Sequence, residues 1–222
     1  MNMPTQQDLI NRMTFQVFGK GIAMPQTEKI ETKDIYIAIQ QNDTEAVDRL
    51  FKADTKHHLG MSGLYLGIAG SLGYTNVIKT LIDNGADIDA NSGIALYKAA
   101  EHGFEDTVDY VLSKTSQYLN RALNGVAEKD NVEMLKHLVD KGADFEHDND
   151  SVLKKAIYHN SEQVMKAIIV DFNYTPSQDT QEWMAEQGYE YPIKLMASRD
   201  MQARLNQRFP EKSKTKVKKM KI

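Results

Sequence analysis

The chain of 222 residues contains no cysteine. Disulfides, thiolate metal sites and a cysteine nucleophile are therefore excluded, and the composition suits a reducing compartment. No run approaches the roughly 18 consecutive apolar residues that a membrane-spanning helix needs. The opening MNMPTQQDLINRM has no basic segment leading into an apolar one, so it does not read as a secretory signal. The expected address is the cytoplasm. Six histidines are present, and none has the spacing of a zinc-binding H-E-x-x-H pair. The GKG at 19–21 lacks both the spacing and the preceding strand of a phosphate loop. No nucleophile elbow, dinucleotide-binding glycine pattern or catalytic carboxylate pair stands out. No enzyme activity, metal or cofactor is expected.

What the chain does have is ordinary apolar content, 41%, and a net charge of −4 that is unevenly spread. The segment EKSKTKVKKMKI at 211–222 holds six lysines and one glutamate, which leaves the preceding body strongly acidic. Such a tail is too polar to fold by itself. It provides a second functional reading, salt-dependent contact with nucleic acid or an anionic surface.

The larger signal is a repeat. Taking Asn42, Gly73, Gly103, Asp130 and Asn160 as anchors, apolar residues recur seven and four positions before each and five, eight and nine positions after it. The set seven before is Ile35, Leu66, Leu96, Leu123 and Leu153; four before lie Ala38, Ala69, Ala99, Val126 and Ala156. All 25 positions are apolar, where a 41% apolar composition would fill about ten by chance. The earlier pair marks one stripe of a first helix and the later trio one stripe of a second. Gly, Asn and Asp tolerate the left-handed backbone that ends a helix, and Thr44, Thr75 and Ser161 stand where they could cap the next. The alanine column lets first helices of adjacent units approach closely, so each helix pair buries its apolar face by stacking on the next.

The stretches LGIAGSLGYTNVIKTLIDNGADIDA (66–90), ALYKAAEHGFEDTVDYVL (95–112) and AEKDNVEMLKHLVDKGADFEHD (127–148), with GAD intact at 85–87 and 142–144, resemble the ankyrin repeat. The resemblance covers about five degenerate units in 31–175. It implies an all-α, ankyrin-type helical solenoid of L-shaped units whose concave face binds another protein. The family's Thr-Pro-Leu-His opening is absent; LYLG and ALYK stand in its place, so the hydrogen bonds of that Thr and His are not implied. Degeneracy of this kind is similar to that of viral, phage and bacterial members, which points to interference with a host process.

A solenoid needs closed ends. Residues 1–30 read as an N-terminal capping helix (TQQDLINRMTFQVF, 5–18) and a linker, 176–210 as C-terminal capping helices around 179–188 and 193–209 broken at Gly188 and Pro192, and 211–222 as the basic tail. Trp183, Tyr189 and Tyr191 are expected to seal the last unit. The C-terminal helices also carry a third functional reading, homo-oligomerisation.

The two positions before each anchor are expected at the exposed end of the first helix. The candidate partner-binding residues there are Leu72, Glu101, His102, Glu128, Lys129, Tyr158 and His159; at the hairpin tips they are Met61, Asn91, Tyr118, His147 and Asp148, with Asp150 alongside. The favoured expectation is a protein-binding module acting by occupancy, as an inhibitor or adaptor. Its acidic members suggest a partner patch with positive charge. His102 and His159 share one position two units apart, about 20 Å at helix-packing distances, too far to share a metal.

Overall fold

A computed structural model describes residues 30–144 and 150–208. Residues 1–29 of the N-terminal cap and linker expected at 1–30, the lysine tail at 211–222, and the tip candidates His147 and Asp148 lie outside the described residues. The rest is helical, with no strand among the described residues. Five pairs follow one another: α1 (Ile30–Gln40) and α2 (Thr44–Ala53); then, after a short α3 (Thr55–Gly60), α4 (Ser62–Leu72) and α5 (Thr75–Asp83); α6 (Ala90–His102) and α7 (Glu105–Leu112); α8 (Leu119–Glu128) and α9 (Val132–Asp140); α10 (Ser151–Tyr158) and α11 (Glu162–Lys166), which continues as a π-helical turn, Ala167–Asp171. Helices α12 (Gln178–Glu186) and α13 (Glu190–Arg208) close the C-terminal end.

The anchors do what their residue types allow. Asn42, Gly73, Gly103, Asp130 and Asn160 all have positive φ, between 53° and 79°. The left-handed residue turns the chain so that the following amide reaches back. In every unit that amide donates to the carbonyl four residues before the anchor, at Ala38, Ala69, Ala99, Val126 and Ala156. This is the hydrogen bond of a Schellman-type helix stop, repeated five times. The alanine column therefore supplies both a small side chain for stacking and the carbonyl that ends the helix.

All 25 repeat positions pack into one continuous core. Only Leu50, Ile82, Leu112 and Val139 are half-buried; the others are buried. The first helices, α1, α4, α6, α8 and α10, form one layer and the second helices the other. The first layer is held by very close approach. A side chain added at Gly70 would place its Cβ 2.6 Å from the Ala95 carbonyl oxygen, and one at Gly125 would lie 2.8 Å from the Tyr97 carbonyl oxygen. From the second unit on, the second helices touch less than the first.

Polar ties join the units in place of those of a Thr-Pro-Leu-His opening. The Thr75 and Thr107 hydroxyls meet at 2.7 Å. The Asp130 carboxylate accepts from the Val164 amide of the next unit at 2.8 Å, and the Ser161 hydroxyl donates to the Ala127 carbonyl. On the second layer, the Asn84 amide donates to Asp48 at 2.8 Å, and Lys141 and His137 both meet Asp109 at 2.8 Å. Between the second and third units the corresponding residues are Lys79 and Lys114, and both sit over the Tyr110 ring. Thr75 and Ser161, expected to cap second helices, bridge units instead; side-chain caps come from Asp43 to Ala46 and Asn131 to Met134.

At the C-terminal end Met184 and Pro192 are buried, and the Trp183 and Tyr189 rings meet at a tilt, 5.1 Å apart, while packing against the core. Tyr191 is exposed. The break falls at Gly188, with φ 72°. Pro192 does not break a helix. It lies in the first turn of α13, where its missing N–H would have had no partner. Arg199 fixes α13 to the array by donating to the Tyr174 carbonyl at 2.6 Å and to that of Ile169 at 3.3 Å.

Candidate functional site

The first-helix layer carries most of the described candidate residues, but it does not present them uniformly. Tyr158 is 80% exposed, the most exposed large hydrophobic side chain of the array, and its ring meets that of His159 at 5.3 Å. His102 is exposed two units away and stacks on Phe104, which is itself 37% exposed. Burial first, against the opposing pull of Glu101, holds the His102 imidazole below its ordinary pKa, so it is neutral at pH 7. Leu72 is half-buried and packs on the core.

Glu101 departs from its expected exposure. Only 6% of it is accessible. Its carboxylate accepts from the equally buried Lys98 at 2.5 Å and lies 3.7 Å from Lys129 of the next unit. Glu128 is half-buried. It pairs with Lys155 of the fifth unit at 2.7 Å and accepts from the Tyr97 hydroxyl of the third. Burial opposes the charge on Glu128, but Lys155 and Tyr97 outweigh it and keep the carboxyl below its usual range. The same contact, after burial, pushes the Tyr97 phenol far above its usual value. The acids that share a repeat position with Tyr158 have thus sunk into cross-unit ties, and the lysines that reach them from the next unit, Lys129 and Lys155, stand outside them.

The tips are shaped by backbone. Asn91, Ser92 and Gly93 all have positive φ, so regular helix in α6 begins at Ile94. A Cβ at Gly93 would lie 2.6 Å from the Tyr118 ring, which packs half-buried over it. Arg121 of the fourth unit donates to the Asn91 carbonyl at 2.7 Å and also to that of Ser92, and it lies over the Tyr97 ring. Asn91 remains exposed, while Met61 packs half-buried on the core. Asp150 is not a tip residue facing solvent. It is 3% exposed and accepts from Tyr174 and Ser177, closing the fifth unit onto the C-terminal segment.

Arg121, Lys98 and Lys155 were not singled out from the sequence. They lie three to seven residues before the −2 position, on the same helical face, so the helical period counted back from Glu101, Glu128 and Tyr158 was the available signal.

No group of three or more metal-ligating side chains comes together among the described residues. No described helix is long and apolar enough to cross a membrane. Residues 35–122 match the family model for ankyrin repeats, in three copies. No curated protein matches the chain. The matched span takes in the first three helix pairs and runs into α8, and the fourth and fifth pairs repeat the same anchor geometry. Residues 35–122 thus match ankyrin repeats, and the described helix pairs have the all-α, ankyrin-type repeat fold.

Proposed function

We propose that the chain binds a partner protein through the first-helix layer and acts by occupancy, as an inhibitor or adaptor. The observation that supports this most directly is Tyr158. A large ring left 80% exposed at a core-forming helix contributes nothing to packing, yet tyrosine is enriched at the centres of protein interfaces. His159 beside it and the His102–Phe104 stack extend an aromatic row along the same edge. The test is affinity capture from the native host's lysate, read by mass spectrometry, with wild type beside His102→Ala/Tyr158→Ala/His159→Ala. All three side chains are exposed, so the variant should fold normally. A protein captured by wild type and lost in the variant is expected. Equal capture by both would remove this edge as the working surface.

A second reading is self-association through α13, where Met201 is 62% exposed and Leu205, one turn on, 46%. Light scattering decides it: a monomeric mass at high concentration would dispose of the idea.

A further inference from the structure

We infer that the partner presents an acidic segment, and that it docks on the first helices of the third, fourth and fifth units. This rests on the first-helix layer being the binding face. It reverses the expectation that acidic candidates there would meet a positively charged patch.

Net charge conceals a division between the two layers. From the third unit on, the first helices and the residue that ends α8 carry five Lys or Arg against two Glu. The second helices of the same units, with the π-helical turn and the residue that ends α9, carry seven carboxylates against three lysines. An acidic chain thus holds a basic strip on its first-helix layer. Depth sharpens the contrast. The Glu101 side chain is 7% exposed, whereas its partner Lys129 is 49% exposed. Lys155 is likewise more exposed than Glu128, 36% against 21%. Arg121 spends its donors on backbone carbonyls and a ring, which leaves its charge uncancelled by either. Carboxylates that lie deep and cations that lie outside them give a positive outward field.

The strip also has an end. Helix α4 contains no charged residue, and its accessible surface is formed by side chains such as Leu64, Ser71 and Leu72. A matching ligand is therefore acidic along one stretch and apolar or aromatic beside it. A nucleic acid fits less well. Its phosphates recur without interruption, and the strip is bounded by the uncharged α4 on one side and the acidic second layer on the other.

The test is selection from a displayed library of random 16-residue peptides on the intact chain. Enriched peptides are then titrated against wild type, Lys129→Gln/Lys155→Gln, and Tyr158→Ala. Circular dichroism melts check that both variants fold. The expected result is peptides rich in Asp and Glu with an aromatic or leucine, weakened about tenfold by the double lysine variant and weakened further by raised salt. Neutral or basic peptides that are lost in Tyr158→Ala would overturn the acidic partner and leave the binding face standing. Peptides indifferent to both variants, or no enrichment at all, would count against both readings. Tighter binding of a 24-nucleotide single-stranded RNA, abolished by the same lysine changes, would overturn the choice of a protein partner.

Discussion

Replacing Gly70 by alanine tests whether backbone contact holds the first-helix layer together. Gly70 lies inside α4, where alanine should favour the helix by about 1 kcal/mol. The added Cβ, however, would sit 2.6 Å from the Ala95 carbonyl oxygen and 3.2 Å from the Ala95 Cα. Comfortable contact begins at roughly 3.5 Å, so α4 and α6 would have to part by close to 1 Å. Both opposing atoms are backbone, and no side-chain rotation relieves them. Overpacking of this kind costs about 1–3 kcal/mol. Gly60 supplies the control: it also lies in a helix, and a Cβ there meets nothing within 4 Å. Gly60→Ala should hold or raise stability by up to about 1 kcal/mol, the helix preference alone. In urea titrations followed by far-ultraviolet circular dichroism, Gly70→Ala is expected to fall below Gly60→Ala by about 1–3 kcal/mol. Because a solenoid's stability is a sum of unit and junction contributions, the transition should also broaden as the first two units uncouple from the rest. A Gly70→Ala protein as stable as the control, with an equally sharp transition, would refute the argument that this junction is set by backbone approach.

Removing one side of the buried pair, by Glu101→Ala, should cost about 3–5 kcal/mol, while Lys98→Met/Glu101→Leu should be near neutral; a double-mutant cycle by chemical denaturation checks both. Burial disfavours the Asp150 charge, but hydrogen bonds from Ser177, Thr180 and Tyr174 prevail and hold its carboxyl below the ordinary range. Its contribution is therefore complete above the unfolded carboxylate value, near 4, and is lost as pH falls through the lower folded value. Asp150→Asn should lower stability at pH 7 by about 1–3 kcal/mol and flatten the decline below pH 4, measured as urea midpoints across pH. Arg199→Met removes the guanidinium that holds the Ile169 and Tyr174 carbonyls, and hydrogen exchange in 190–208 should speed up while that of α6 and α8 stays unchanged.

The repeat was legible because two constraints coincide at fixed spacing. A helix stop at Asn42 or Gly73 requires a residue that accepts positive φ, and the stripes on either side require apolar side chains at helical intervals. Neither depends on distant neighbours. Exposure at the −2 position was not legible in the same way. Glu101 and Tyr158 occupy equivalent places, yet one is buried and the other stands in solvent. Both have a lysine one turn earlier, but only Glu101 offers it a carboxylate, and Gly125 in the next unit, lacking a side chain, lets Tyr97 and Glu101 come close, whereas Tyr158 lies in the last of the five units. Capping was misread for a related reason. Thr75 and Ser161 stand beside helix starts, but their hydroxyls find better partners across the junction, in Thr107 and Ala127. The charge division between the layers was hidden because net charge sums over both faces.

The ties between units carry a consequence for how this array could grow or shrink. Each of the four junctions is closed by its own chemistry: an amide on a carboxylate between Asn84 and Asp48, two lysines sharing the Tyr110 ring, a lysine with a histidine on Asp109, and a backbone amide on Asp130. A unit copied and inserted elsewhere would bring the wrong half of such a pair, so that Lys79 could face Lys141, or Asp48 face Asp171. The backbone treats the five tiles alike, but the side chains at their seams specify which tile follows which. The sequence therefore records an order as well as a number of repeats, and duplication or deletion of a unit would be resisted at the seams before it was felt in the core.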